Sequence, residues 1–418
     1  MRQEKVSESG TERADPNENH YNREVKSGAG LGIDCAILCA APCRGTKPQG
    51  GAQGARRVVE KIVPLLDYTN KQGMIAKENL EMKIADMHCD TISELWDRKG
   101  GGKSSKPAEI SPYTDSLRAN NLHIDLQKMK QAGYTLQNFA MYINLKKDLD
   151  PFAYVLALID LFDAEMEQNK NDIRVIKTYE EITQNKRNGK ISAFLSIEEG
   201  GCCKGKIENL ETLYARGARM MTLTWNYPNE LANPNLCQDK TDPNGFPLFD
   251  GTKGLTKTGF EFAQRMEELG IIIDVSHLSD AGFWQIADCT KKPFVASHSN
   301  ARALCGHARN LTDDMIRTIA ERGGVIGLNY YGCFLNAKYD NASTAARIAE
   351  HARHIVKTGG TDCLGLGSDF DGIDGTLEIA DCSQMYKLFD ALEAAGFSQS
   401  EIEKIAYKNV LNVYKELL

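Results

Sequence analysis

From Lys83 onward the chain alternates short apolar runs with segments of helical period, and this alternation restricts the fold more than any other feature. The runs are Ile84 to Met87, Phe139 to Ile143, Ala193 to Ile197, Met220 to Leu223, Ile271 to Val275, Phe294 to Ala296, Val325 to Leu328 and Cys363 to Leu366, eight candidate strands. Helix signals lie between them. Thr312 is placed to cap a helix with Asp313 and Asp314 in its first turn, Met315, Ile316 and Ile319 inward, and Gly323-Gly324 as its stop. Ser398 and Glu401 form a capping-box pattern for a last helix whose apolar stripe is Ile402, Ile405, Ala406 and Val410. Strands joined by helices pair in parallel, and eight of them predict a (β/α)8 TIM barrel over residues 81–418, with an open doubly wound sheet as the competing α/β arrangement. No GxGxxG or GxxxxGKS loop is present, which disfavours nucleotide chemistry.

Residues 1–80 are of another kind, polar and charged to about Gly54, Gly-rich in part, then briefly amphipathic from Arg56 to Asp67. A mostly disordered N-terminal extension is expected. Its one apolar run, Ala36 to Ala41, is cut short by Pro42 and Arg44 and sits behind a polar lead, so neither a membrane helix nor a secretory signal is expected. Cys35, Cys39 and Cys43 recur every fourth residue, but Gly32, Pro42 and the lack of a neighbouring histidine make them incidental thiols. Met82, just ahead of the first strand, is an alternative start on this reading, which an intact mass of the native protein checks. The net charge of −7 with no long basic run leaves no footprint for nucleic acid or an anionic membrane. The 12 cysteines show no CxxC pairing and read as reduced thiols, so a cytoplasmic protein acting on a small molecule is expected, with a homodimer left open.

In a barrel enzyme the chemistry gathers where strands end, so polar residues just after an apolar run are the candidates. The first run ends in His88-Cys89-Asp90, where period-two alternation is expected to send His88 and Asp90 to one side and Cys89 to the other. The third ends in Glu198, followed by Glu199 and the turn-forming Gly200-Gly201. His277 follows the fifth, His298 the sixth, and Asp369 with Asp371 the eighth. Three imidazoles and several carboxylates at one barrel mouth suit two Zn2+ ions, since both groups are ordinary zinc ligands and one carboxylate can serve two ions. Any one of these alone is more often a hydrogen-bonded structural residue; the joint placement carries the reading. His123-Ile124-Asp125 repeats the spelling without a preceding apolar run, and Asp125 reads as a helix cap. His351 and His354 read as the solvated flank of a helix.

The motifs DMHCDT at 86–91, SIEEGG at 196–201, IDVSH at 273–277, SHSNARALCGHARN at 297–310 and GLGSDFDG at 365–372 together resemble the membrane, or renal, dipeptidase family, a branch of the metal-dependent amidohydrolases. The resemblance runs through residues 82–418. It implies a TIM barrel of the metal-dependent hydrolase type with two zinc ions per subunit. His88 and Asp90 would bind one, Glu198 would bridge both, and His277 and His298 would bind the other. Asp369 matches the family's catalytic carboxylate and Arg309 the residue that receives the substrate carboxylate. The implied activity is hydrolysis of dipeptides, with a D-residue accepted at the C-terminal position, by a hydroxide shared between the metals. The family's best-known members carry a histidine after the fourth strand; Trp225 stands at that place, leaving Asn226 or Tyr227 as expected substrate-binding donors. Glu199 stands where glycine is usual. The alternatives are another amide or lactam hydrolase, such as an N-acyl-D-amino-acid deacylase, and a degenerate barrel that binds without turnover.

Overall fold

The structure, a computed structural model, describes residues 83–101, 115–147, 149–236, 241–242, 248, 250–338 and 340–418. The expectations for the N-terminal extension, including those for Cys35, Cys39 and Cys43, lie outside these residues. The chain forms strands β1 (Ile84–Asp86), β2 (Tyr134–Tyr142), β3 (Ile173–Ile176), β4 (Ile191–Glu198), β5 (Met220–Thr222), β6 (Ile272–Asp274), β7 (Ile326–Leu328) and β8 (Leu364–Leu366). Their parallel ladders run β6-β5-β4-β2-β1-β8-β7. Residues 294–296 close the ring: Val295 bridges Asp274 on one side and Ala296 bridges Ile326 on the other. This segment makes bridges rather than a full ladder; it follows Pro293, which has no N–H to give a neighbour. The architecture is therefore the expected TIM barrel.

Two strands differ from the sequence expectation. Strand β2 begins at Tyr134, well before Phe139, because Gln137 and Asn138 are polar yet fully buried in it. Strand β3 pairs with β4 outside the ring and was not foreseen, since Ile173-Arg174-Val175-Ile176 is too short to stand out.

The barrel interior is sealed from below. Ala85, Leu136, Phe194, Met220, Ile272, Val295 and Val325, one from each of seven ring positions, cluster with Val410, Val413, Tyr414 and Leu417 of the helix Asn409–Leu417. Tyr414 stacks on Phe194 at 4.7 Å, and Asn138 Nδ2 donates to its hydroxyl at 2.7 Å. The single stripe expected for the last helix is divided. A π-helical turn, Lys404–Lys408, adds a residue between Gln399–Glu403 and Asn409–Leu417. Ile402, Ile405 and Ala406 thus join the outer core, and Val410 turns into the barrel.

Thr178, Thr256, Ser279, Thr312 and Thr344 each cap a helix through the side-chain oxygen, and Ser398 with Glu401 completes its capping box. Asp125 caps Leu126–Ala132 as expected. The barrel narrows toward its upper mouth at Gly327 and Gly367, where a Cβ would stand 1.9 Å and 1.8 Å from the Ser297 carbonyl oxygen. Only glycine lets these backbones approach so closely.

Candidate metal centre

At the C-terminal ends of the strands, the last strand residue, as at Glu198, or the turn that follows, as at His277 and His298, aims the polar side chains. Strand β1 stops at Asp86, whose buried Oδ1 accepts the N–H of His88 at 3.2 Å and of Ser368 at 3.0 Å. His88 and Asp90 come together on one side of Cys89, with Nε2 of His88 3.4 Å from Oδ2 of Asp90, while Cys89 bridges Phe370 and packs in the outer core. Asp274 does the same across the ring, where its Oδ1 accepts the N–H of Ser276 at 3.0 Å and of Ser297 at 2.9 Å. His277 and Asp369 have φ of 69° and 62°, in the left-handed region that strains a non-glycine residue.

Glu198 stands at the centre. Its Oε2 lies 3.3 Å from His88 Nε2, and its Oε1 lies 3.1 Å from His277 Nε2 and 3.7 Å from His298 Nε2. One carboxylate thus faces His88 with one oxygen and the His277–His298 pair with the other. Asp369 Oδ1 is 3.8 Å from His88 Nε2. All six side chains are buried. Gly372 makes room for them, since a Cβ there would lie 2.2 Å from Asp90 Oδ2 and 2.6 Å from Asp369 Oδ1.

The hydrogen-bond network fixes the imidazole tautomers. His277 Nδ1 lies 2.8 Å from Asn226 Oδ1, an acceptor, so Nδ1 carries the hydrogen. Ser297 gives its one hydroxyl hydrogen to Asp274 Oδ2, so its oxygen accepts from His298 Nδ1 at 2.7 Å. Both Nε2 lone pairs therefore point at one space, 3.0 Å apart. Two acceptors so placed can share a cation. Burial, aided by Arg309, pushes His277 down to about 3, and burial with the His88 charge holds His298 well below its ordinary value, so both are neutral. Burial would lower His88 as well, but Glu198 and Asp90 outweigh it and raise it well above the usual range. Burial would raise Glu198, yet the imidazoles of His88 and His277 hold it below its ordinary value. Burial and the neighbouring Glu198 raise Asp90, and burial lifts Asp369 to about 6. Among the described residues, His88 Nε2 and Asp90 Oδ1 have no hydrogen-bond partner. His88, Glu198 and His298 form one group able to hold a metal ion, and His88, Asp90 and Asp369 a second.

Arg309 is 2% exposed, with Nη2 donating to the His298 carbonyl at 3.3 Å and with Nε and Nη1 unpartnered among the described residues. Its backbone N–H donates to His307 Nδ1 at 3.1 Å, and its guanidinium lies 5.4 Å over Phe334. Burial pushes it down to about 10, which leaves it charged at neutral pH. A buried guanidinium with two idle donors is arranged for an anion.

Asn226, expected at the substrate, has its amide oxygen on His277, and Tyr227 packs between Trp225 and the Lys146 ammonium. His351 is not a solvated flank. It is 1% exposed, accepts the Ala301 N–H at Nδ1 at 3.1 Å, and donates from Nε2 to the Leu335 carbonyl at 3.0 Å. His354 pairs with Asp313 at 2.7 Å. Asn329 was missed in the sequence: its Nδ2 donates to Asp369 Oδ2 at 2.8 Å, and its place directly after β7 obeys the rule that found the others.

A sequence model of the membrane dipeptidase family (peptidase family M19) matches residues 76–417. The chain belongs to that family. Its members are metal-dependent hydrolases, dipeptidases among them. The chain is 34% identical over 234 residues to an uncharacterised protein of the pqqA 5′ region in Klebsiella pneumoniae, a match covering 55% of this chain and 84% of that one. It is 31% identical over 307 residues to an uncharacterised dipeptidase of Schizosaccharomyces pombe, covering 70% and 72%. The fold matches a metallopeptidase of Rhodobacter sphaeroides, crystallised with a phosphinate mimic of the dipeptide L-Ala-D-Ala, at a TM-score of 0.68 and 23% identity over 81% of this chain and 99% of that one.

Proposed function

We propose that this dipeptidase-family protein is a binuclear zinc enzyme that cleaves dipeptides, including those with a D-residue at the C-terminal position. The observation that carries the proposal is the division of Glu198 between His88 and the His277–His298 pair, with the buried Arg309 beside it. His88 and Asp90 would hold one ion, His277 and His298 the other, and Glu198 both. Zinc held by these residues would supply Lewis acidity, able to make water nucleophilic near neutral pH and to polarise the scissile carbonyl. The chain's own residues do the rest.

Asp369 is pinned at Oδ2 by Asn329, which leaves Oδ1, the oxygen toward His88, to accept a proton and return it to the departing amine. Arg309 receives the carboxylate of the C-terminal residue, which restricts substrates to those with a free carboxyl group next to the cleaved bond. Asn226 keeps His277 in the tautomer that presents Nε2. The preference for a D-residue extends to this chain what the ligand of the Rhodobacter protein suggests of that one. Purified protein assayed on L,L- and L,D-dipeptides and on N-acyl-D-amino acids, with metal measured on the same sample, tests the proposal. Dipeptide hydrolysis with two zinc ions per chain supports it. Hydrolysis of acyl amino acids alone, or no turnover with metal bound, overturns it.

A further inference from the structure

One side of the mouth is built from aromatic rings that the scheme above leaves idle. Trp225 meets Tyr142 edge-on at 4.9 Å and Tyr227 edge-on at 5.5 Å, and its ring lies 6.0 Å from that of His277. All three aromatic residues are half-buried. The Lys146 ammonium lies 4.3 Å over the face of Tyr227. Edge-to-face packing at these distances makes a stiff apolar wall.

The wall is held in place at a cost elsewhere. Glu199 is fully buried with φ of 114°, a strained value for a non-glycine residue. Its Oε2 accepts the Trp225 N–H at 3.0 Å, and its Oε1 accepts the Gly201 N–H at 2.8 Å and a bond from Asn229 Nδ2. Asn229 Nδ2 also donates to the Leu223 carbonyl, and its Oδ1 accepts from Leu231 and Ala232. A buried carboxylate on a strained backbone is thus committed to fixing the loop that presents the indole. This accounts for the glutamate at a place where the sequence offered no reason for one.

Ring order gives the wall its direction. Tyr142 ends β2, which stands opposite the segment 294–296 that leads to Arg309. A dipeptide with its carboxylate on Arg309 and its amide bond at Glu198 points its N-terminal residue toward β2 and β5. Resting on the dipeptidase reading, we propose that Trp225, Tyr142 and Tyr227 form the subsite for the side chain of the N-terminal residue, and that it takes an aromatic or large apolar one. Lys146 at the edge of the wall turns away cationic side chains.

The test is kcat/KM of the zinc-loaded full chain on Phe-Ala, Ala-Phe and Ala-Ala. Phe-Ala is expected to exceed Ala-Ala by about tenfold or more, as a side chain buried in an apolar pocket allows, while Ala-Phe gains less. Trp225→Ala is expected to bring Phe-Ala and Ala-Ala to within about threefold of each other, and Trp225→Phe, which keeps a ring, to restore most of the ratio. Should Trp225→Ala fail to fold, Tyr142→Leu gives the same readout. A wild type with no preference for Phe-Ala, or a ratio untouched by these substitutions, overturns the subsite and leaves the dipeptidase reading standing. No hydrolysis of any dipeptide overturns both.

Discussion

Arg309 offers the sharpest test, because its place in the fold and its proposed role toward substrate carry opposite signs. Arg309 is 2% exposed, and among the described residues its guanidinium makes one hydrogen bond, to the His298 carbonyl at 3.3 Å. Replacing a buried, poorly paired charge with an apolar side chain of similar length is often neutral or stabilising, so Arg309→Met is expected to leave the midpoint of urea unfolding unchanged or raised. Catalysis should respond the other way. Two hydrogen bonds between charged partners contribute about 1.5–3 kcal/mol each, which gives about 3–6 kcal/mol, or roughly 10²- to 10⁴-fold in kcat/KM. The assay compares a dipeptide with its C-terminal amide in both proteins. The wild type should discriminate by that factor, and Arg309→Met should barely discriminate. Equal discrimination by the two proteins would place the carboxylate somewhere else and refute the reasoning.

Four further outcomes follow from the geometry. Asp369→Asn should keep its metal and lose about 10²- to 10⁴-fold in kcat, measured with metal content on the same sample. Gly372→Ala would put a methyl group 2.2 Å from Asp90 Oδ2, so metal content should fall while circular dichroism stays native. If the proposed zinc ions are bound, a chelator should lower the melting temperature, reversibly on adding zinc back, because the ions would tie together residues from four ring positions. Burial holds His351 at about 4 against an ordinary 6.5, so the folded state resists a proton that the unfolded chain accepts. Its contribution, about 3 kcal/mol, is complete above pH 6.5 and lost as the pH falls toward 4. Denaturant titrations at pH 7 and 5 should show a smaller pH effect in His351→Gln than in the wild type.

What could be read in advance depended on how local its cause was. The ring of strands is written in apolar runs because parallel strands are covered on both faces, and Phe139, Leu195 and Ile273 all lie in such runs. His88, Glu198, His277, His298 and Asp369 stand where those runs end, so a rule about strand tips reached them. Glu199 and His351 escaped because their partners, Trp225 and Ala301, lie far away along the chain. The strand residues Gln137 and Asn138 misled for the same reason, since the hydroxyl that makes Asn138 tolerable in the interior belongs to Tyr414.

The helix that carries Tyr414 imposes an order on synthesis. All the strands of the ring have left the ribosome once Leu366 is out, yet the floor beneath them arrives only with Val410, Val413, Tyr414 and Leu417. Until then Phe194 and Met220 line an open, wet bore, and a nascent chain stalled at that stage should be readily digested. The barrel core is thus complete only once this helix is made, and a translation arrest within it would leave a barrel without a bottom.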